Sequence, residues 1–270
     1  MIRLGVAGAA GRMGKRILTL AAADKAFKIA AALESPNHPE AGKPLSELLG
    51  VACPGVVLTT DAQETFSRSD VVIDFSHHST LERHLKLALK NKTAYVVGTT
   101  GLTAKHRKAL LLASKKIAVV QSPNMSVGVN LLFKLSQIAA KVLDEGYDLE
   151  ISETHHRMKK DAPSGTAVKL LEVLAEARGR NPDKGTVYGR EGETGARRRG
   201  EIGVLAMRGG DVVGDHTVFF FGDGERLELT HRASSRDAFA QGSLRAAKFV
   251  AKRRHGLYDM QQVLGIASAV

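Results

Sequence analysis

Apolar residues in the first half of the chain follow two alternating patterns, short uninterrupted runs and helical repeats. The runs predict buried strands at residues 2–8, 28–33, 71–75, 94–97 and 117–120. Apolar residues spaced three and four positions apart predict helices at residues 12–23, 80–91 and 105–114. Strands that alternate with helices indicate βαβ units, so this half predicts an α/β fold with a doubly wound parallel sheet.

The second half has a different pattern. Helical spacing appears at residues 128–143, 166–178 and 237–253, and a strand begins at 148–152. Three further strands are predicted at residues 202–208, 214–221 and 226–232. The glycine-rich segments between them, 209–211 and 222–224, are interpreted as hairpin turns. This half predicts a second, α+β domain built on a mixed or antiparallel sheet, with a junction near residues 125–128.

The pattern does not decide whether the last helix returns to the first domain. Residues 191–200, rich in glycine and arginine, are interpreted as a mobile loop.

Composition narrows the class of protein. The chain has 270 residues, of which 43% are hydrophobic and 25% charged, as is usual for a soluble globular protein. No apolar run approaches the ~18 residues that span a bilayer, so no membrane partner is expected. The single cysteine, Cys53, excludes an internal disulfide. A cytoplasmic location fits these features best.

The formal net charge of +11 favours anionic ligands. The densest basic clusters are Arg197–Arg199 and Lys252–Arg254, and both are interpreted as solvated surface. Neither carries interleaved aromatic residues or a nucleic-acid motif, so no nucleic-acid partner is expected. A regulator that binds DNA would show steeply salt-dependent binding, and none is predicted at physiological salt.

A glycine-rich turn at Gly8–Gly14 follows the first strand and opens the first helix. Glycine lets the backbone approach a pyrophosphate, and the helix N-terminus attracts its charge. The spacing G-x-x-G-x-x-G departs from the common G-x-G-x-x-G and is weak evidence alone. Glu34 ends the second strand about twenty residues later, where a carboxylate can bind an adenosine ribose. Together these features predict a Rossmann-type nicotinamide cofactor site.

Two other strands end in small or polar residues. Gly98–Gly101 and Gln121–Met125 follow the fourth and fifth predicted strands. Ligands of open α/β sheets bind beyond the carboxyl ends of the strands, so these segments belong at the same rim, although plain turns need glycine too. His77 and His78, after another strand at this rim, are interpreted as loop residues rather than catalysts.

The stretch richest in titratable and charged side chains, here called the chemical stretch, runs from Glu153 to Thr166. His155 and His156 can act as general acid or base near neutral pH. The cations of the stretch could bind carboxylates; for Arg157 a solvated role is equally plausible, and for Lys160 it is preferred.

Ser164 or Asp161 would cap the following helix, which would point the N–H groups of Gly165 and Thr166 at an anion. No metal is expected, since adjacent histidines cannot easily face one ion. Proton donors beside an anion site suit the reduction of a small carboxylated substrate.

These segments together resemble the 4-hydroxy-tetrahydrodipicolinate (dihydrodipicolinate) reductase family of bacterial lysine and diaminopimelate biosynthesis. The resemblance covers nearly the whole chain, and its most specific motif is ETHHRMKKDAPSGTA at 153–167. The other matching motifs are VAGAAGRMG (6–14), GTTG (98–101), SPNMSVGVN (122–130), REG (190–192), GDHTVFF (214–220) and GERLELTHRASSRDAFAQGSLRAA (224–247).

The resemblance implies a role for each matching position. His155 matches the proton donor and acceptor, and Lys159 a second proton donor. His156, Gly165 and Thr166 match positions that bind the small dicarboxylate substrate. The cofactor contacts correspond to Gly8, Ala9, Ala10, Gly11, Arg12, Met13, Glu34, Gly98, Thr99, Thr100, Ser122, Pro123, Asn124 and Met125.

The resemblance also implies the reaction and the assembly. A hydride passes to C4 of a cyclic dicarboxylate formed on loss of water, and the product is tetrahydrodipicolinate. It implies a homotetramer, a dinucleotide-binding domain at 1–126 plus 236–270, and a substrate-binding and oligomerisation domain at 127–235. Ser35 stands where some members carry an arginine that pairs with the 2′-phosphate of NADPH, so NADH is favoured slightly; Arg12 or Lys15 could still reach that phosphate.

One other enzyme class remains open at this point. Another nicotinamide enzyme of similar plan, such as an aspartate or homoserine dehydrogenase, would share the Gly8–Gly14 turn. It would have no need of the 155–166 pattern.

Overall fold

The computed structural model describes residues 1–267, and contacts divide the chain into two compact units. The first unit comprises Met1–Val127 with Arg236–Gly265, and the second comprises Gly128–Ser235 with the described residues 266–267. The predicted ranges differ at residue 127 and at residues 266–267, and residues 268–270 of the predicted first domain lie outside the described part. Within the second unit, the Ala267 carbonyl oxygen accepts a hydrogen bond from Lys134 Nζ at 3.5 Å.

The first unit is built on a parallel sheet. Its described strands are β1 (Ile2–Ala7), β2 (Phe27–Leu33), β3 (Leu58–Thr59), β4 (Val71–Asp74), β5 (Ala94–Val97), β6 (Ala118–Gln121) and β12 (Gly256–Tyr258). They are ordered β12-β6-β5-β4-β1-β2-β3, and every pairing between neighbours is parallel. This doubly wound order confirms the predicted Rossmann-type sheet. The order reverses between β1 and β4, where such folds bind ligands.

Helices cover this sheet with their apolar sides. They are α1 (Arg12–Ala23), α2 (Leu45–Leu49), α3 (Ala62–Arg68), α4 (Leu81–Asn91), α5 (Ala104–Ala113), α8 (Asp237–Val250) and α9 (Met260–Leu264). Helix α8 packs against α1 and against the sheet. Its first residue, Asp237, accepts two hydrogen bonds of 2.7 Å from the Arg16 guanidinium, which joins the start of α8 to α1.

The second unit has a mixed sheet, as predicted. Its described elements are α6 (Val127–Val142), β7 (Asp148–His155), α7 (Gly165–Ala177), β8 (Thr186–Val187), β9 (Ile202–Arg208), β10 (Asp215–Phe221) and β11 (Arg226–Arg232). The strand order is β11-β10-β7-β9-β8. The pairs β7–β9 and β9–β8 are parallel, whereas the pairs β10–β7 and β10–β11 are antiparallel. Apolar residues of α6 and α7 pack with the inner face of this sheet into one core.

The prediction of a hairpin turn at residues 209–211 is wrong. Strand β7 lies between β9 and β10, so the segment carries the chain past the end of β7 instead of folding it back. The Gly209 N–H donates to the His155 carbonyl at 2.9 Å, and the Arg157 N–H donates to the Gly210 carbonyl at 3.2 Å. The turn therefore supports the chemical stretch. The other predicted hairpin, at residues 222–224, does connect β10 to β11.

Arg197 is not the solvated cation that was predicted. Its guanidinium donates hydrogen bonds to Asp148 at 2.6 Å, to Glu150 at 3.1 Å and to three backbone carbonyls. Residues 191–200 hold no helix or strand, but this arginine ties them to the sheet. In the other basic cluster, Lys252, Arg253 and Arg254 are exposed, as predicted.

Elements between residues 45 and 68 were not predicted from the sequence. Helices α2 and α3 and strand β3 are short, and their apolar runs give little periodicity. Helix α8 also ends at Val250, three residues before its predicted end. None of the helices described within residues 1–267 is both long and apolar enough to cross a membrane.

Candidate active site

The glycine turn after β1 forms a cradle for an anion. Gly8 has a φ of 75°, and a Cβ there would lie 2.7 Å from the Phe75 carbonyl oxygen. A Cβ at Gly14 would collide with the Gly8 carbonyl oxygen. Gly11 is the N-cap of α1, so in the described structure no side chain caps this helix, and its first turn holds no acidic residue. The positive end of the helix is thus open to a phosphate, and the turn fits a dinucleotide.

Glu34 lies beside this turn, at the end of β2. Its Oε2 accepts a hydrogen bond from the Ala10 N–H at 3.1 Å, and its Oε1 accepts one from the Ser35 N–H at 2.9 Å. The carboxylate borders a cavity of about 310 Å³ that is also lined by Gly8, Ser35 and Arg83. Glu34 therefore stands where a ribose could reach it.

The two other predicted cofactor segments follow β5 and β6. The Gly98 N–H donates to the Asp74 carbonyl at 2.9 Å, and a Cβ at Gly98 would collide with the Phe75 ring. Ser122 Oγ donates to the Asn124 carbonyl at 2.9 Å, which shapes the second segment. Because all strands of this sheet are parallel, these segments lie at the same edge as the glycine turn. The structure thus brings the predicted cofactor positions together in the first unit.

A buried polar network supports this edge, and sequence reasoning missed it. The Asp74 side chain is 1% exposed and accepts hydrogen bonds from His84 Nδ1 at 2.7 Å, from the Tyr95 hydroxyl and from Ser76. Burial alone would raise the pKa of the Asp74 carboxyl, but these bonds, that from His84 first, hold it below its ordinary value. Asp74 joins the segment after β4 to α4 and β5.

A signal for this network was present in the sequence. His84 lies on the apolar side of α4, in line with the buried residues Leu81, Leu85 and Ala88. A polar residue in such a row needs a buried partner. His77 caps the short turn that precedes α4: its Nδ1 accepts a hydrogen bond from the Ser79 N–H at 3.3 Å.

The chemical stretch begins on β7, whose inward side chains alternate with outward ones. Leu149, Ile151, Glu153 and His155 are buried in turn. Glu153 Oε2 lies 2.6 Å from His155 Nδ1, and both Glu153 oxygens accept hydrogen bonds of 2.9 Å from Arg208. Glu153 and Arg208 were not predicted as site residues, although the two-residue period of β7 places Glu153 on the side of His155.

The protonation states of Glu153 and His155 depend on their burial and on the neighbouring Arg208. Burial would raise the pKa of the Glu153 carboxyl, yet the bonds from Arg208, His155 and the Ser164 N–H hold it below its usual value. Burial also lowers the pKa of His155, and Glu153 offsets only part of that effect. His155 is therefore mainly neutral at pH 7, and Arg208 supplies the countercharge of Glu153.

Lys159 lies in the loop that follows β7. Its Nζ contacts both oxygens of Asp161, at 2.9 and 3.0 Å, and its side chain is 19% exposed. Arg208 also donates to the Asp161 carbonyl at 2.7 Å, so one guanidinium holds both this loop and Glu153. His156 is half-buried in the same loop, whereas Arg157 and Lys160 are exposed.

Helix α7 begins at Gly165 with Ser164 as its N-cap, and Asp161 is not the cap. Ser164 Oγ accepts a hydrogen bond from the Ala167 N–H at 3.2 Å. A Cβ at Gly165 would meet nothing within 4 Å, so an anion can approach the backbone there. His216 Nε2 lies 3.1 Å from Ser164 Oγ, and burial lowers the pKa of His216 to about 3.

His216 is a third residue that sequence reasoning missed, although it alternates with the buried Val218 and Phe220 on β10. Within residues 1–267, no group of three or more His, Cys, Asp or Glu side chains is placed to hold a metal ion.

The second unit holds the positions that were predicted to exchange protons and to bind substrate. They are His155, His156, Lys159, Gly165 and Thr166.

Family models match both parts of the chain. The model described as the N-terminus of dihydrodipicolinate reductase matches residues 2–125, and the model of its C-terminus matches residues 128–264.

Curated relatives cover nearly the same span. A protein of Magnetococcus marinus named 4-hydroxy-tetrahydrodipicolinate reductase is 51% identical over 264 residues, 98% of each chain. Relatives with the same name from Anaeromyxobacter sp. and Nitrosomonas eutropha are 50% and 47% identical, over 100% of both chains and over 98% of this chain and 99% of the relative, respectively.

Solved structures agree with this fold. A dipicolinate-bound dihydrodipicolinate reductase from Paenisporosarcina sp. superposes with a TM-score of 0.76 at 27% identity, and covers 97% of this chain and 98% of its own. An aspartate dehydrogenase from Thermotoga maritima has a TM-score of 0.51 at 12% identity, with 92% and 96% covered. The second likeness shows a shared fold alone.

Proposed function

This chain belongs to the dihydrodipicolinate reductase family, and from that premise we propose that it reduces 4-hydroxy-tetrahydrodipicolinate to tetrahydrodipicolinate with NAD(P)H. The step belongs to lysine and diaminopimelate biosynthesis. The observation that carries the proposal is His155, held by a buried ion pair beside the open N-terminus of α7.

The cofactor, when bound, supplies a hydride to C4 of the ring that remains after the substrate loses its hydroxyl group as water. The hydride brings two electrons, so one proton must also reach the neighbouring carbon or nitrogen. We propose His155 and Lys159 as the residues that deliver and exchange protons. Lys159 can donate a proton from Nζ, while neutral His155 can accept or return a proton at Nε2.

Substrate binding is assigned to the start of α7 and its neighbourhood. The backbone at Gly165 and Thr166 would receive one carboxylate, and His156 would contact the substrate from the preceding loop. Dipicolinate, the ligand of the solved relative, is a flat ring with two carboxylates, the charge pattern that such a site suits.

We assign the cofactor to the first unit and propose NADH as the preferred form. Its predicted contacts are Gly8–Met13, Glu34, Gly98–Thr100 and Ser122–Met125. A carboxylate at Glu34 followed by Ser35 gives the ribose hydroxyls an acceptor and offers no cation to a 2′-phosphate. Arg83 lines the same cavity and would support a lesser use of NADPH.

The cofactor preference is tested by comparing kcat/KM for NADH and NADPH. We expect a higher value with NADH, and Arg83→Gln should lower the value for NADPH more than that for NADH. A higher wild-type value with NADPH would overturn the preference.

We also propose a homotetramer that assembles through the outer face of the second sheet. Leu205 and Met207 of β9 are 50% and 46% exposed there, on the side away from α6 and α7, and Phe221 of β10 is 38% exposed on the same face. Light scattering after Met207→Glu should show smaller particles than the wild type.

We also propose a cytoplasmic location, where reduced nicotinamide is available. Cell fractionation tests this location.

The activity itself is tested by following NADH or NADPH absorbance with substrate generated in situ from pyruvate and aspartate semialdehyde. Oxidation of the cofactor above background is expected. No oxidation with either cofactor would refute the proposed function.

A further inference from the structure

We propose that Glu153 is a positioning residue for this reduction, because it fixes the tautomer and orientation of His155 and also anchors the start of α7. The inference rests on the proposed function, in which His155 exchanges a proton and α7 receives a substrate carboxylate. Glu153 itself would touch neither substrate nor cofactor.

Three groups donate hydrogen bonds to the Glu153 carboxylate. Its side chain is 0% exposed, and Oε2 accepts from His155 Nδ1 at 2.6 Å. Oε1 accepts from the Ser164 N–H at 3.0 Å, the cap of α7. Arg208 donates to both oxygens at 2.9 Å. The proton carrier and the anion-binding helix are therefore held by the same two oxygens.

The geometry determines which ring nitrogen of His155 carries the proton. An ionised carboxylate can only accept hydrogen bonds, so His155 Nδ1 must be the donor. Nε2 is then left with its lone pair. A Cβ at Gly214 would lie 3.0 Å from this Nε2, and the absence of a side chain at Gly214 keeps the space in front of it clear.

The charges around His155 come from several elements. Glu153 lies on β7, Arg208 on β9, His216 on β10, and Lys159 and Asp161 in the loop after β7. Glu153 raises the pKa of His155, whereas burial, Lys159 and Arg208 lower it. Loss of the Glu153 charge must therefore lower the pKa of His155 further.

The first test is a measurement on the wild-type enzyme, and so does not depend on a variant folding. We expect ¹⁵N NMR of labelled enzyme at pH 7.5, with the His155 signals assigned by their loss in His155→Gln, to show the proton of His155 on Nδ1. A proton on Nε2 would overturn the proposal, whether or not the enzyme reduces its substrate.

The second test uses Glu153→Gln with Glu172→Gln as the matched control. Glu172 is an exposed carboxylate of α7 that pairs only with Lys169 among its described contacts. The amide that replaces the Glu153 carboxylate would present an N–H to His155 or lose its bonds to Arg208, so the Nδ1–H tautomer loses its support. We expect kcat to fall roughly 10²-fold and the acidic limb of its pH profile to move to lower pH.

The two tests separate the possible failures. If wild type and Glu172→Gln are active and folded Glu153→Gln keeps wild-type kcat, pH profile and His155 tautomer, the positioning role is wrong and the proposed function stands. If wild type shows no reductase activity, the proposed function fails, and the NMR result still decides the tautomer.

Discussion

Each unit of this protein buries a carboxylate that holds a histidine, and the two pairs differ in what surrounds them. Asp74 and His84 lie 2.7 Å apart in the first unit, and Glu153 and His155 lie 2.6 Å apart in the second. Asp74 accepts its other hydrogen bonds from neutral hydroxyl and amide groups, whereas Glu153 binds the cation Arg208.

The histidines differ as well. His84 packs against the ring of Phe66, with centroids 5.6 Å apart, whereas the second nitrogen of His155 faces the space left by Gly214. The same pair chemistry thus suits two uses. Without an arginine beside it, Asp74 ties segments of the sheet edge together, whereas Glu153, which pairs with Arg208, orients a histidine that can exchange a proton.

The largest effect expected from this comparison concerns catalysis. His155→Gln and Lys159→Ala should each lower kcat by ~10²–10⁴-fold, because general acid–base catalysis is lost. His84→Gln should change kcat by less than about tenfold, since this ring holds structure and exchanges no proton with substrate. Steady-state kinetics at saturating cofactor would measure all three, with exposed His255→Gln as control. A kcat loss in His84→Gln equal to that in His155→Gln would erase the distinction between the pairs.

The next effect concerns stability and cofactor binding. Asp74→Asn should lower the free energy of unfolding by roughly 2–4 kcal/mol, because buried donors lose their ionised acceptor. It should also raise the Kd for NADH, since Asp74 supports the segments after β4 and β5. Urea unfolding and fluorescence titration would measure these changes. In the control Asp70→Asn, which breaks an exposed pair with Arg3, a loss of about 1 kcal/mol or less is expected.

A third prediction compares one turn from each unit. Gly14→Ala should weaken NADH binding and destabilise the first unit by about 1–3 kcal/mol, because its Cβ would collide with the Gly8 carbonyl. Gly209→Ala, where a Cβ meets nothing within 4 Å, should change stability by less than about 1 kcal/mol. Equal losses in thermal unfolding would show that close packing is not special to the first turn.

The last prediction concerns the loss of stability in acid. His216 has a pKa of about 3 in the folded chain against 6.5 for the free side chain, so below pH 6.5 the unfolded chain binds a proton that the folded chain does not. Stability from this group is present above pH 6.5 and is lost as pH falls towards 3, by about 1.4 kcal/mol per pH unit.

That slope can be measured by urea unfolding between pH 7.5 and 5. In His216→Asn it should be shallower, whereas in His255→Gln it should match the wild type. Asp74 and Glu153 have lowered pKa values and act in the same direction, but only below the ordinary carboxyl values of 3.8 and 4.5. An unchanged slope in His216→Asn would contradict the assignment.

Most of the first unit could be predicted because its signals are local. The strand, turn and helix at residues 2–23 depend on neighbours in sequence, and α1 begins and ends where its spacing indicates. Prediction failed at residues 209–211, because a glycine turn does not show which strand lies beside it. It failed also at Arg197, because a run of three arginines looks solvated unless its acidic partners on β7 are known.

The sequence by itself determined the two kinds of sheet, the dinucleotide turn and the His155–Thr166 segment, because periodicity, turn chemistry and motif spacing are properties of contiguous residues. Only the tertiary structure decided that His84 meets Asp74, and that Arg208 accompanies the Glu153–His155 pair and not the other. Arg208 is 55 positions from Glu153, and it arrives because β9 lies parallel to β7 in the sheet. Partners so far apart in sequence are set by strand order, which no local pattern specifies.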